Sequence, residues 1–251
     1  MRLASRAGAC KHCRMADADS PSRPDARQPA PSVSRAPADR DKPPRARDED
    51  WPEGLVAVGG ELDPDTLVKA YRAGIFPWSS DPAVTWWSPD PRAIFDLDTF
   101  RAHRSVGKAI RRHGWRFTTD RDFVGVMRAC AAPTPDRPQT WISDEFVSSY
   151  SELHRRGLAH SLEVWEGDEM VGGLYGVTLG GFFGGESMFR RRTDASKAAV
   201  SFLVEHLRAR KFLLLDAQVP TTHLRAVGAT EISRAEYLRR LRAALNRNVT
   251  F

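Results

Sequence analysis

Two apolar runs broken by glycines dominate the second half of the chain, one from Val171 to Leu179 and one from Phe182 to Phe189. They meet at Gly180-Gly181, and because glycine takes a positive φ without steric cost, the pair predicts a tight hairpin. After Phe189 the apolar period lengthens. Ala198, Phe202, Leu203, Val204 and Leu207 recur at helical spacing behind Asp194, the predicted N-cap. Phe212-Leu213-Leu214-Leu215 is a continuous apolar run, the pattern of a strand buried on both faces. It ends in Asp216-Ala217-Gln218. Residues two apart on a strand share a face, so an acid and an amide are expected side by side at the end of a buried strand, where open α/β sheets place their ligands. Glu186, late in the second glycine-punctuated run, is the third polar candidate.

Upstream, Leu55 to Val58 predicts a short strand closed by Gly59-Gly60. Asp63 as N-cap, Pro64 at the first helical position and Gly74 after the last turn frame a helix carrying Leu67, Val68, Ala70 and Tyr71. The stretches Gly74 to Trp78 and Trp86 to Arg92 read as aromatic loops, whose rings either cover a core or offer a stacking surface to a base. Trp115 to Thr119 predicts a strand, Asp120 caps a helix through Met127, and Ser143 caps a helix ending at Gly157. His160 to Trp165 alternates as a strand that turns at Gly167-Asp168. Thr222 to Val227 and an amphipathic helix from Ser233 to Leu245 close a mixed α/β (α+β) order.

The 251 residues are 41% hydrophobic and 28% charged, enough for one large domain or two modest ones with a real core. No apolar run approaches the ~18 residues of a spanning helix and the N-terminus is too polar for a secretory segment, so a cytoplasmic protein without membrane contact is expected. Three cysteines make no disulfide framework. Residues 1–48 hold seven of the 17 prolines and no Phe, Trp or Tyr, and are expected to be disordered. Cys10-Lys11-His12-Cys13 lacks the second pair that a zinc site needs, so no metal is expected. Net charge is +6 with a pI near 9.5, which makes a polyanionic partner worth considering. No acid stands between Asp98 and Asp120, while Arg104, Lys108, Arg111 and Arg112 follow i, i+4, i+7 and i+8 spacing on one helix face. Val106, Ala109 and Ile110 lie on the other side. Such a face is either simply solvated or holds phosphates.

The strings GLVAVGGELDPDTLVKAYRAGIFPW, WWSPDPRAIF, TWIS, HSLEVW, VGGLYGV, FFGGESMF, ASKAAVSFL and LDAQ, then HLRAVGA, occur in this order and span roughly residues 50 to 245. They closely resemble the bacterial leucyl/phenylalanyl-tRNA–protein transferases. The resemblance implies an N-acetyltransferase (GNAT)-like C-terminal domain over 119–251 and a smaller N-terminal α+β domain over 49–118. It implies a cofactor-free enzyme, expected to be monomeric, that moves Leu, Phe or Met from an aminoacyl-tRNA onto the N-terminal Arg or Lys of a protein and so marks it for degradation. By the same resemblance Asp216 and Gln218 are the catalytic pair and Glu186 their third polar partner. Trp78, Trp141, Phe183, Ser187 and Met188 are expected around the aminoacyl-adenosine, and Arg104, Lys108, Arg111 and Arg112 on tRNA phosphates.

An aminoacyl ester is already activated, which fits the lack of a GxxxxGK[ST] phosphate loop. The acceptor α-amine, with a pKa of about 7.7–8, must lose a proton. Gln is a poor base, so Gln218 is expected to accept a hydrogen bond from the amine, with Asp216 polarising it and holding it in register. Glu186, with Asp216, would attract the cationic terminus. Ala217 stands where the family often has Cys, and Thr221 near where it has Asn. The alternative is an acyltransferase using acyl-CoA, yet Arg190-Arg191-Arg192-Thr193-Asp194 lacks the glycines of a pyrophosphate loop. A non-enzymatic RNA-binding module would leave Asp216 and Gln218 without a task.

Overall fold

The computed structural model describes residues 52–79, 82–134 and 140–251. The extension expected over 1–48 and the Cys10–Cys13 pair lie outside the described residues. Helix starts follow their caps. Asp63 accepts from the backbone N–H groups of Asp65 and Thr66 to open α1 (Pro64–Arg72), and Ser143 accepts from Phe146 to open α4 (Asp144–Arg155). Two expected caps are corrected. The helix placed after Asp120 is α3 (Phe123–Ala131), capped by Asp122 through Gly125 N at 2.9 Å. Asp120 itself has a positive φ, and its carboxylate takes His160 Nδ1 and the Ser161 N–H. Asp194 precedes α5 (Ala195–Ala209) in left-handed conformation and makes no side-chain cap; Lys197 takes its carboxylate instead, at 2.8 Å.

A three-stranded antiparallel sheet has the order β1 (Leu55–Val58), β3 (Thr85–Trp87), β2 (Phe76–Pro77). The two aromatic stretches read as loops thus contribute strands, too short to display an alternation. A seven-stranded sheet runs β10 (Thr230–Ile232), β4 (Arg92–Phe95), β9 (Leu214–Gln218), β8 (Phe182–Arg190), β7 (Glu169–Leu179), β6 (Ala159–Glu166), β5 (Arg116–Thr119). Leu179 and Phe182 pair across Gly180-Gly181, the expected hairpin, with Gly180 at φ 58°. The run expected as a strand from Phe212 begins pairing only at Leu214, because the turn out of α5 uses Lys211 at φ 62° and leaves Leu213 46% exposed. The boundary expected at residue 118 falls inside β5, and β4 lies between β10 and β9.

Two cores flank the larger sheet. Phe182 and Leu214 face one with Phe146, Tyr150 and Tyr237, while Phe183 and Leu215 face the other with Ala199, Leu203 and Leu207 of α5. The first is covered by α1, α3, α4 and α7 (Arg234–Leu245). The second is covered by α2 (Arg104–His113) and α5, with α6 (Thr222–Val227) at its margin.

All strand neighbours in the larger sheet are antiparallel except β8 and β9. Their parallel ladder covers only Phe182↔Leu214, Phe183↔Leu215 and Gly184↔Asp216, although β8 continues to Arg190. A one-residue bulge lies where the ladder stops: Gly185 pairs Gly176 and Ser187 pairs Tyr175, which leaves Glu186 as the extra residue. Bulges re-aim side chains. Beyond this one the alternation inverts, so Met188 packs on the side of Phe183 and Phe189 on the side of Phe182. The strands close so tightly here that a Cβ on Gly176 would meet the Gly184 carbonyl oxygen and the Phe183 ring, each at 2.3 Å. Gly176→Ala is therefore expected to destabilise the protein by about 1–3 kcal/mol through overpacking, a fall of roughly 2–12 °C in the thermal unfolding midpoint for a domain of this size.

Candidate active site

Arg92 heads β4, 1% exposed in the space between Phe76 and Tyr237, whose rings lie 4.8 and 4.2 Å from its guanidinium carbon. A buried cation needs a partner. Asp216, also 1% exposed, supplies it as a fork: Nε donates to Oδ1 at 2.9 Å and Nη2 to Oδ2 at 2.6 Å. Burial alone would lower the Arg92 pKa, but the Asp216 charge and its hydrogen bonds carry it above the ordinary value. Tyr237 O–H donates to Oδ2 at 2.9 Å, and the Gln218 backbone N–H to Oδ1 at 2.8 Å. These four donors saturate the roughly four lone-pair positions of a carboxylate. The expected contact between Asp216 and the Gln218 side chain is absent. Asp216 grips the backbone instead and holds Gln218 at φ 64°, while a bulge at Ala217 interrupts the alternation by which the two were expected to share a face.

The Gln218 side chain turns to the other acid. Its Nε2 donates to Glu186 Oε1 at 2.8 Å, and Tyr71 O–H donates to the same oxygen at 2.7 Å. The Tyr150 hydroxyl lies 3.1 Å from Oε2 and in hydrogen-bond contact with the Tyr71 hydroxyl; with one proton on each hydroxyl, an ionised Glu186 receives one O–H directly while the other tyrosine donates to its neighbour. Burial raises the Glu186 pKa; the two tyrosines oppose it and the neighbouring Asp216 adds to it, with the balance at about 7. Burial drives Tyr71 and Tyr150 well above their ordinary values, so both remain donors.

A cavity of about 180 Å³ opens where β8 and β9 diverge. On the α5 side its wall is apolar: Phe95, Leu174, Met188, Val200, Leu203, Leu215 and Leu224. On the other side stand Phe76, Trp78, Trp141 and Tyr175, with Glu186, Ser187, Asp216 and Gln218 at the junction. Trp78 is 41% exposed and meets Trp87 edge to face at 5.7 Å; Trp141 meets Phe146 in the same way at 5.1 Å.

Seven of the expected residues therefore surround one cavity: Trp78, Trp141, Glu186, Ser187, Met188, Asp216 and Gln218. Phe183 does not. It is fully buried in the second core, 5.5 Å from the Phe251 ring, at a point where β8 and β9 are still paired as Phe183↔Leu215. Arg104, Lys108, Arg111 and Arg112 are exposed on α2, which packs through Val106, and they are not among the lining residues. Arg92, Tyr71, Tyr150 and Tyr237 were not anticipated as partners of the site. The one local signal was Arg92 itself, a cation heading the wholly apolar Ala93-Ile94-Phe95.

The site is thus an apolar chamber between two diverging parallel strands, with an amide held by carboxylates at the point of divergence. The family described as "Leucyl/phenylalanyl-tRNA protein transferase" matches residues 94–242, and its N-terminal domain matches residues 60–90. The chain is 50% identical over 188 residues to the leucyl/phenylalanyl-tRNA--protein transferase of Shewanella sp. (strain W3-18-1), covering 74% of this chain and 80% of that one. With the protein of the same name from Pseudomonas fluorescens (strain Pf0-1) it is 51% identical over 193 residues, 75% and 85% of the two chains. The chain belongs to the leucyl/phenylalanyl-tRNA–protein transferase family and is an aminoacyltransferase. Among solved structures, L-PGS from Bacillus licheniformis matches at a TM-score of 0.40 and 12% identity, over 64% of this chain and 54% of that one, a likeness too low to carry an argument.

The ion pair between β4 and β9 supports a stability prediction. Arg92→Ala, which leaves Asp216 buried without its cation, is expected to cost about 3–5 kcal/mol. Arg92→Met combined with Asp216→Leu should recover much of that loss in denaturant unfolding, since no charge is then stranded.

Proposed function

We propose that the protein transfers leucine or phenylalanine, and also methionine, from an aminoacyl-tRNA to the N-terminal Arg or Lys of an acceptor protein. The observation that carries this is the cavity at the β8–β9 divergence, apolar on one side and aromatic on the other, with the Gln218 amide between. An apolar cavity of about 150 Å³ can hold a benzene ring, so the chamber suits a Leu or Phe side chain, and flexible Met188 suits alternatives of different shape. Trp78 and Trp141 would take the terminal adenosine, where stacking contributes ~1–3 kcal/mol per base.

In this reading the acceptor α-amine attacks the ester carbonyl carbon. A C–N bond forms, the C–O bond to the ribose breaks, and the amine proton leaves to the ribose oxygen or water. The Gln218 Nε2 is engaged by Glu186, which directs its carbonyl oxygen away from that carboxylate to accept the amine N–H. Asp216 is neutralised by Arg92, so Glu186 supplies the negative charge that favours a cationic terminus. Asp216 acts through the backbone of Gln218 rather than on the substrate.

Several finer points belong to the same proposal. The GNAT-like assignment of 119–251 is supported by the parallel pair that splays beside its crossover helix α5. A smaller N-terminal unit, from which β4 and β5 depart to join the larger sheet, a cytoplasmic monomer and degradation of the product follow from the family. Among the described residues no helix is long and apolar enough to cross a membrane. Acyl-CoA as donor is set aside, because relatives about 50% identical are named for aminoacyl-tRNA.

Incubation with radiolabelled Leu-tRNA and peptides beginning with Arg or Ala tests the proposal: label is expected in the Arg peptide alone, and no labelled peptide would refute it. Asp216→Ala strands the buried Arg92 and should lower stability as Arg92→Ala does; at a temperature where the variant is still folded and binds tRNA, it should slow transfer by orders of magnitude. If α2 contacts phosphates, Lys108→Glu with Arg111→Glu and Arg112→Glu should weaken tRNA binding at least 10-fold. The slope of log K against log salt should also flatten by roughly one per charge removed, with little change in the rate at saturating tRNA.

A further inference from the structure

The mechanism above uses Glu186 as an acceptor for Gln218 and leaves the two tyrosines beside it without a task. Tyr71 comes from α1 and Tyr150 from α4, 115 and 36 residues away from Glu186 in the chain. Both hydroxyls are buried, and both aim at one carboxylate at the edge of the cavity. A purely structural pair of tyrosines could satisfy each other, since their own hydroxyls are in hydrogen-bond contact. Their convergence on Glu186 calls for another account.

An amide side chain has two ends of opposite character, one donating and one accepting. An ionised carboxylate only accepts, so beside it the Gln218 NH₂ must face inward and the carbonyl oxygen outward. A protonated carboxyl offers an O–H as well as a C=O and would tolerate either end. The orientation of Gln218 is therefore one-sided only while Glu186 is ionised. We propose that Tyr71 and Tyr150 are positioning residues whose hydroxyls keep Glu186 an anionic acceptor, and thereby fix which end of the Gln218 amide meets the acceptor amine. The proposal rests on the transferase reading only in its last step.

The groups around Glu186 bear this out. Tyr71 faces it from α1, Tyr150 from α4, and Asp216 and Gln218 from β9, with Tyr175 of β7 edge-on to Tyr150 and Arg92 on β4 behind Asp216. The only cation among them is forked onto Asp216, so among the described residues no cation is hydrogen-bonded to Glu186. Burial pushes its pKa up to about 7, and the hydroxyls are the first influences that pull it back. Hydrogen bonds to a charged acceptor are stronger than those between neutral groups, so loss of either hydroxyl should raise the pKa further, by about 1 unit. The sign is then set: the oriented state is present above the Glu186 pKa and lost as pH falls through it.

The direct test is a carboxyl titration of the unliganded protein by infrared difference, with Glu186→Gln as the subtraction. A band titrating near pH 7 is expected, moving up by about 1 unit in Tyr71→Phe and in Tyr150→Phe. An unmoved band overturns the proposal whatever the protein catalyses. Transfer to the Arg peptide then tests the last step. Each Tyr→Phe variant should fall about 5-fold at pH 7 and match the native protein near pH 9, while Tyr71→Phe should change nothing further at either pH in a Glu186→Gln background. Equal losses at both pH values would mean that the tyrosines only hold the fold. If the native protein transferred nothing, the transferase reading would fall, and the infrared titration would still decide the tyrosine–Glu186 coupling.

Discussion

A buried guanidinium cannot be left unpaired, and much of the site follows from how this chain pairs one. Arg92 and Asp216 are 124 residues apart in sequence, and their fork fastens β4 to the end of β9 inside the larger sheet. With Tyr237 on one oxygen and the Gln218 N–H on the other, the carboxylate has no capacity left for a substrate. It can, however, hold Gln218 in a left-handed conformation that a residue of this kind seldom adopts unaided. The backbone there is strained, and the strain persists because a saturated ion pair over-determines it. In the proposed reaction Asp216 would act through Gln218 without touching the substrate.

The divergence of β8 and β9 gives the site its two-sided character. A parallel ladder only three pairs long lets the strands part at Gly184 and Asp216, and the gap communicates with both faces of the sheet. On one face α5 lines it with aliphatic side chains; on the other, the short aromatic strands and α4 supply indoles and hydroxyls. One cavity can therefore hold an apolar group and a polar reacting centre without burying unpaired polar atoms in the apolar half. The bulge at Glu186 completes the separation, sending the carboxylate to the hydroxyl side and Met188 to the aliphatic side.

Local chemistry was legible in the sequence and long-range chemistry was not. The hairpin at Gly180-Gly181, the caps at Asp63 and Ser143, and the acid and amide at the end of a buried strand all depend on neighbours a few residues away. Which residues of the Gly-rich strand line a pocket depends on strand facing and on where β8 and β9 part, and neither the bulge at Glu186 nor the end of the Phe182–Gly184 ladder leaves a local mark. Asp120 and Asp194 look like caps in composition, yet each is drawn to a partner that local pattern does not count, His160 across the chain and Lys197 one turn on. Tyr71 and Tyr150 sit at ordinary apolar positions on amphipathic helices, and only the packing of α1 against α4 turns their hydroxyls into a pair. Arg92 was the exception in principle, since a cation heading a wholly apolar strand requires a buried anion somewhere.

Two carboxylates so close together would ordinarily force one to stay protonated. Here Arg92 offsets the charge of Asp216 within hydrogen-bond distance, so burial is the larger obstacle to ionising Glu186 and the residual Asp216 charge the smaller one. The tyrosines offset part of that burial, and the balance near 7 leaves one negative charge at the mouth of an apolar chamber. A single anion of that kind suits a cationic amine that must approach, give up its proton and leave as an amide. A second free carboxylate would hold the ammonium form too strongly for attack, and a fully neutral site would give the acceptor's charge no reason to enter.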